Sequence, residues 1–356
     1  MWGPGAGLSE GVRFCEVTMV TMDTAGGGGP GARPPSEARH VTGEFRGAGG
    51  VRLHLQAWLP GVPESGDHGA VIAVVHGYGD HGGRYAGLGE AMAAVGLAVY
   101  ACDLRGHGRV VHGYGDHGGR YAGLGEAMAA GGLAVYACDL RGHGRSSGAR
   151  GQVKRFDDYL DDTDLYLSEV RRLQPAKTVF LLGHSMGGLI CARLAQERPP
   201  DVAGMILSAP FLHLAAEVSP VKILAARILS LLWPGRDIGN TVRASDLSRD
   251  EAVVRAYDVD PLVHHVAPAR WAVQTLAAQG AAMARAERVV LPLYVLFGTA
   301  DPVADPGYSR TFFARAGSRD KTLREYPGLL HECFNELGRE RVYADLAAWI
   351  TQRTPD

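Results

Sequence analysis

The chain has 356 residues, of which 46% are apolar and 21% charged, so it can bury the core of one large α/β domain or two small ones. A net charge of −2 creates no long-range field, and we expect no nucleic-acid partner. No stretch has the ~18 apolar residues that cross a bilayer, the first 22 residues lack a signal-peptide core, and the five scattered cysteines are typical of a reducing compartment. These properties favour a cytoplasmic protein, with at most peripheral membrane contact.

The N-terminal residues 1–38 are rich in glycine, proline and alanine. They have too few apolar side chains to order themselves, so we expect this segment to be disordered. Residues 39–356 are predicted to form one domain. It begins with a hairpin of two strands, Val41–Phe45 and Val51–Leu59, the second of which alternates apolar and polar side chains.

A 36-residue segment occurs twice in tandem, at residues 74–109 and 110–145, and the two copies differ only at Val95 and Gly131. Repeat architectures of this period usually contain three or more diverged copies. Two nearly identical copies indicate a recent duplication or an error in assembling the gene.

Each copy reads as a strand end, a loop, a helix and a second strand, whereas one βαβ layer has room for a single such unit. The apolar run Val71–Val75 favours the first copy for the opening strand. The continuation of Arg141–Arg145 into Ser146–Gly148 favours the second copy for the exit. We therefore expect the fold to use His76–Gly79 and Ser146–Gly148, with one 36-residue equivalent looped out. The sequence leaves open which helix and which second strand occupy the slot.

Strands and helices alternate after the duplicated region, which indicates a mostly parallel sheet with helices on both faces. A helix is predicted around 156–173 and a last one over Arg339–Ile350. The predicted strands are Thr178–Leu182, Met205–Ser208, Leu293–Phe297 and Thr322–Tyr326.

The alternation is interrupted at about 211–289, where only helical patterns occur. Ser219 and Pro220 form a helix start, an N-cap residue followed by proline at the first helical position. The apolar run Val221–Trp233 follows. A helical insertion above the carboxyl ends of the strands is where a lid would sit; the alternative is an extra structural helix pair.

The motif Gly183-His184-Ser185-Met186-Gly187 lies between a predicted strand and a predicted helix. A G-x-S-x-G turn of this kind exposes a nucleophilic serine above the sheet, and its glycines leave room for the strained backbone. In a chain with 49 glycines, the alternative is a glycine-rich turn that contains an incidental serine.

A nucleophilic serine needs a histidine base and a carboxylate that orients it. Asp301 follows one predicted strand and His331 follows the last, in the order Ser, acid, His that α/β-hydrolases use. Asp305 is a competing acid four residues further from its strand. His264 and His265 lie in the lid region, where surface or packing roles are expected.

The oxyanion hole requires two backbone N–H groups. Met186, which follows the nucleophile, supplies one, and Tyr78 in the His76–Gly79 turn supplies the other, or Tyr114 if the second copy is used. The histidines of the duplicated block, His76, His81, His107 and their copies, do not follow a zinc pattern. We expect them to stabilise loops by hydrogen bonds, and we expect neither a metal nor a cofactor.

These motifs together resemble the monoacylglycerol lipase and lysophospholipase branch of the α/β-hydrolases, often described as serine aminopeptidase-like. The resemblance covers about residues 40–353. The matching motifs are His76–His81 with Arg84-Tyr85, Asp139–Ser146, Gly183–Gly188, Gly298–Asp301 and His331-Glu332. It implies an α/β-hydrolase fold with a helical lid, a Ser185–Asp301–His331 triad, and an oxyanion hole at Tyr78 and Met186.

The resemblance further implies an apolar acyl channel, a small lipid ester as substrate and transient membrane contact through the lid. The expected reaction is hydrolysis of monoacylglycerol to fatty acid and glycerol. The alternatives are a lysophospholipase or broad esterase, and a non-catalytic product that the duplication has inactivated. Related dehalogenases and epoxide hydrolases are excluded because they need an aspartate where this chain has Ser185.

Overall fold

The computed structural model describes residues 20–21, 39–59, 70–76, 98–103, 135–175, 178–216, 218–239 and 242–354. Most of the duplicated block therefore lies outside the described residues. Within the N-terminal 38 residues, Val20–Thr21 forms a two-residue strand that pairs with the first long strand, and the rest of that segment lies outside the described residues.

The described residues form one ten-stranded sheet. Its strands are β1 (Val20–Thr21), β2 (Arg39–Gly47), β3 (Val51–Leu59), β4 (Ala70–Val75), β5 (Ala98–Asp103), β6 (Val135–Cys138), β7 (Thr178–His184), β8 (Gly204–Ser208), β9 (Leu293–Gly298) and β10 (Lys321–Tyr326). The described α-helices are α1 (Asp157–Leu173), α2 (Met186–Glu197), α3 (Pro220–Leu232), α4 (Glu251–Asp258), α5 (Ala269–Ala284), α6 (Pro306–Arg315) and α7 (Arg339–Thr351).

Two kinds of strand pairing build the sheet. The first three strands are antiparallel neighbours, whereas β4, β7, β8, β9 and β10 pair parallel in that spatial order. Strands β4, β8 and β9 are buried along their whole length, as strands covered on both faces must be. The structure thus confirms the mostly parallel α/β fold with a helical insertion.

Two strands lie between β3 and β4 in the sheet order, β5 from the first copy and β6 from the second, and they pair with each other at Tyr100–Tyr136 and Ala101–Ala137. Strand β6 aligns four residues with β3 and four with β4. The equivalent strand of the first copy, β5, makes a single residue pair with each of those neighbours. Strand β4 includes the start of the first copy, and one strand from each copy pairs with it.

The segment after β6 is held firmly in place. The Asp139 carboxylate accepts a hydrogen bond from the Arg145 backbone at 2.7 Å, and the Ser146 hydroxyl accepts one from the His54 backbone in β3 at 3.2 Å. The Arg141 guanidinium bonds the buried Asp162 carboxylate of α1 at 2.8 Å. Such buried charge-assisted contacts fix the exit of the second copy against the sheet.

The insertion between β8 and β9 contains α3, α4 and α5, with short 3₁₀ turns at Ala244–Asp246 and Ala286–Arg288. Helix α3 begins where the sequence predicts, because the Ser219 side chain accepts a hydrogen bond from the Lys222 backbone and Pro220 occupies the first helical position. None of the helices that the structure describes is long and apolar enough to span a bilayer.

Deletion of one copy, residues 74–109, is expected to stabilise the protein. The deletion removes strand β5 and shortens the connection between β4 and β6. The lower entropy cost of closing this shorter loop raises the free energy of unfolding by about 1 kcal/mol. We expect a higher Tm and a higher soluble yield than for the full chain, measured side by side by thermal unfolding. A deletion variant that is unfolded would show that both copies are structural.

Candidate active site

Ser185 occupies a strained turn between β7 and α2. Its φ of 52° and ψ of −116° lie in a region that residues with a side chain rarely adopt, and such strain costs about 1–3 kcal/mol. The Ser185 N–H donates to the Ser208 carbonyl at 2.9 Å, and its own carbonyl accepts from Leu189 and Phe211 at 3.2 and 2.9 Å. These bonds from β8, α2 and the loop after β8 hold the strained backbone in place.

Two glycines make this turn possible. A Cβ on Gly183 would lie 2.7 Å from the Cys191 sulfur, and a Cβ on Gly187 would overlap the carbonyl oxygens of Val75 and His76. The end of β4 therefore packs directly on the first turn of α2. Ser185 is partly exposed while its neighbours on both sides are buried, and it lines the cavity together with His184.

Asp301 and His331 lie in the loops after β9 and β10 and are both buried. The His331 Nδ1–H donates to Asp301 Oδ2 at 2.8 Å. The other oxygen, Oδ1, accepts from the backbone N–H groups of Val303 and Ala304 at 2.8 and 3.0 Å. The carboxylate is thus fixed by its own loop, and it can set both the tautomer and the orientation of the imidazole.

The competing residues have other roles. The Asp305 side chain is the N-cap of α6, where it accepts from the Gly307 backbone at 2.7 Å. His265 is exposed. His264 is buried against the His143 ring at a centroid distance of 4.9 Å, and burial lowers the pKa of His264 to about 3, with the nearby Arg150 charge as a second cause. These histidines thus have the surface and packing roles that the sequence suggested.

Two histidines of the duplicated block fall within the described residues, and both make loop hydrogen bonds. His76 Nε2 accepts from the Leu140 backbone, and His143 Nδ1 lies 2.9 Å from the Arg141 carbonyl. Burial, with His264 nearby, lowers the pKa of His143 well below its usual value, so its ring is neutral. In the part of the chain that the structure describes, no group of three or more His, Cys, Asp or Glu residues is placed to hold a metal.

Ser185 and His331 open onto one cavity of about 600 Å³ beneath the insertion. Ligand pockets commonly have volumes of ~300–1,000 Å³. The walls that the insertion and the loop after β9 contribute are mainly apolar. They include Ile223, Ala226, Leu229, Val242, Leu247, Tyr257, Trp271, Leu276 and Val303.

Of the expected oxyanion residues, Met186 is described, and it is the first residue of α2. Tyr78 and Tyr114 lie outside the described residues. Two contacts at the site were not predicted from the sequence. The His184 ring lies 4.9 Å from that of His331, and the Trp271 indole N–H donates to the Met186 sulfur at 3.3 Å. The second contact joins residues 85 apart, so sequence spacing contains no signal for it.

A parallel sheet that carries Ser185 in a tight strand-to-helix turn, with a hydrogen-bonded Asp–His pair at the same edge, defines the α/β-hydrolase class. The family model described as serine aminopeptidase, S33, matches residues 66–110 and 109–338, two pieces that meet where the copies join. The chain belongs to this family.

Relatives support the same placement. The chain is 36% identical to the monoacylglycerol lipase of Mycolicibacterium smegmatis over 307 residues. The aligned region covers 86% of this chain and 95% of that protein. It is 34% identical over 312 residues to the human monoglyceride lipase, covering 86% and 89%. Among solved structures, the Paleococcus ferrophilus monoacylglycerol lipase is similar with a TM-score of 0.64, 27% identity, and coverage of 85% and 99%.

The two candidate acids can be separated by a matched pair of substitutions. Asp301→Asn is expected to lower the kcat for ester hydrolysis by about 10³–10⁴-fold, because an amide cannot hold the imidazole in the required tautomer. Asp305→Asn is expected to leave kcat unchanged, because asparagine also caps helices well. A large loss in the Asp305 variant, with little in the Asp301 variant, would reverse the assignment.

Proposed function

We propose that the protein is a serine carboxylic-ester hydrolase that cleaves monoacylglycerol to fatty acid and glycerol. Ser185 is the nucleophile, His331 the general base and Asp301 the orienting acid. The observation that carries the proposal is the 2.8 Å bond between His331 and Asp301 at the wall of an apolar cavity that also contains Ser185. The monoacylglycerol and monoglyceride lipases named above, at 34–36% identity, support the ester substrate.

The reaction proceeds in two halves. The Ser185 oxygen attacks the acyl carbon while His331 Nε2 accepts the serine proton, and collapse of the tetrahedral intermediate transfers that proton to the departing glycerol oxygen. A water molecule then attacks the acyl-serine ester. His331 accepts a proton from this water and returns it to Ser185 as the fatty acid leaves. Asp301 stabilises the imidazolium in both halves and stays ionised.

Negative charge develops on the carbonyl oxygen in each half-reaction. The Met186 N–H at the start of α2 is one donor to this oxygen, and the positive end of the helix dipole strengthens it. The second donor is the Tyr78 N–H, or that of Tyr114 if the second copy supplies the loop. Loss of one such donor typically lowers turnover by ~10²–10³-fold.

The apolar cavity favours a single long acyl chain. Each methylene that moves from water to such a wall contributes about 0.8 kcal/mol. We therefore expect a higher kcat/KM for monooleoylglycerol than for p-nitrophenyl acetate. Lysophosphatidylcholine is expected to be the poorer long-chain substrate.

The test uses purified protein and these three substrates, with Ser185→Ala as the control. The variant is expected to remain folded and to lose hydrolysis of all three. Undiminished turnover by Ser185→Ala would refute the assignment of Ser185 as the nucleophile. A higher kcat/KM for lysophosphatidylcholine than for monooleoylglycerol would identify the protein as a lysophospholipase instead. A wild-type protein that neither hydrolyses these esters nor reacts with a fluorophosphonate would be the inactive product of the duplication.

We also propose that α3 rests on the surface of a lipid bilayer. One face of this helix lines the cavity, while Val221, Leu231 and Trp233 expose 77%, 78% and 64% of their surface. Large exposed apolar patches on a protein commonly mark interaction sites. The exposed Arg227 on the same helix suits the phosphate groups of the lipid surface. A lipid ester could then pass from the bilayer into the cavity beneath this helix.

Leu231→Glu is expected to weaken binding to phosphatidylcholine vesicles by about tenfold or more, because it removes an apolar side chain worth ~1.5–3 kcal/mol on burial. Val290→Glu is the matched control, because Val290 is 61% exposed but lies outside the lid. Co-sedimentation with vesicles measures the binding. Equal binding by both variants would contradict the role of α3.

A further inference from the structure

The loop that carries His331 has little regular structure of its own. It runs from the end of β10 at Tyr326 to the start of α7 at Arg339, and its one helical turn is the 3₁₀ segment Cys333–Asn335. The position of His331 therefore depends on what holds this loop from outside. A misplacement of about 1 Å at a catalytic group can lower the rate by ~10²-fold.

The carboxylate of Glu336 is the centre of those contacts. Its side chain is fully buried, and it accepts backbone N–H bonds from Leu330 at 3.1 Å, Leu337 at 3.0 Å and Arg249 at 3.2 Å. The Arg249 guanidinium Nε adds contacts of 3.2 and 3.1 Å to its two oxygens. Leu330 immediately precedes His331, whereas Arg249 belongs to the insertion.

Three further bonds join the same two segments. The Glu332 backbone donates to the Leu247 carbonyl at 2.9 Å, and the Ser248 hydroxyl donates to the Asn335 carbonyl at 2.8 Å. The Asp250 carboxylate, which caps α4, pairs with Arg339 of α7 at 3.1 Å. Lid residues from Leu247 to Asp250 are thus bonded to the histidine loop along its length. Leu247 itself lines the cavity.

We infer that Glu336 is a positioning residue, which holds the His331 loop in its reactive place and couples it to the lid through Arg249. The inference rests on the proposed function. It follows from the geometry, because the carboxylate bonds the residue before His331 and the lid at the same time. Breaking a buried, hydrogen-bonded ion pair leaves unmatched donors at Leu330 and Arg249, so the backbone next to His331 would shift even where the other three bonds remain.

The test is Glu336→Gln, which keeps the volume of the side chain but turns an NH₂ group toward backbone donors. We expect kcat for monooleoylglycerol to fall about 10–100-fold, with KM changed much less, because the acyl cavity remains while His331 is misplaced. The concentration of folded active sites is measured from the end point of fluorophosphonate labelling. The kcat is calculated per labelled site, so unfolded protein does not lower it. Glu336→Asp, which keeps the charge one methylene further back, is expected to recover part of the loss.

The matched control is Glu325→Gln. Glu325 pairs with Arg310 at 2.7 Å on the exposed side of β10, away from the contacts that Glu336 makes with the His331 loop. We expect its kcat to equal that of the wild type. Should Glu336→Gln fail to fold, Arg249→Ala decides the question, because that side chain is 45% exposed and its removal leaves the backbone bonds in place. Arg310→Ala is its control.

An unchanged kcat per labelled site in Glu336→Gln would overturn the inference. Where that variant does not fold, an unchanged kcat in Arg249→Ala would overturn the coupling of the loop to the lid through Arg249. A fall that Glu336→Asp does not relieve, or one matched by Glu325→Gln, would also overturn the inference. These outcomes are distinct from failure of the proposed function, in which the wild-type protein itself would show no ester hydrolysis.

Discussion

The close approach of β4 to the first turn of α2 is the constraint on which the site depends. The carbonyl oxygens of Val75 and His76 leave no room for a side chain at Gly187. Packed this tightly, the turn can keep Ser185 at a positive φ, since three backbone hydrogen bonds from neighbouring segments offset the strain. A looser junction would let the serine relax into an ordinary turn and withdraw its hydroxyl from the cavity.

The parallel sheet then brings distant residues together at one edge. The loops after β7, β9 and β10 leave the sheet on the same side, because parallel strands share the direction of their carboxyl ends. Ser185, Asp301 and His331 come from these three loops. The acid is held by its own backbone, and the histidine loop is held by Glu336 and the lid. The rigidity of the site therefore comes partly from the insertion above it.

The tandem copies show how identical sequences can differ in structural role. Local propensity is the same for β5 and β6, but β6 lies directly before the Asp139–Ser146 loop, which is bonded to β3 and α1. In the sheet, β6 aligns four residues with each of β3 and β4, β5 aligns one with each, and the two strands pair with each other at two residues. Strands from both copies therefore lie between β3 and β4.

The sequence by itself determined the order of most described elements, the helix start at Ser219, and a nucleophile turn whose glycines have a steric reason. Residues with local signatures were predictable because strand periodicity, capping and turn chemistry act over a few positions. Only the tertiary structure decided that Asp301 rather than Asp305 bonds His331, and that Glu336 joins the histidine loop to Arg249, 87 residues away. Such contacts join residues that are far apart in the sequence. They depend on how the whole chain folds, and local sequence patterns contain no information about them.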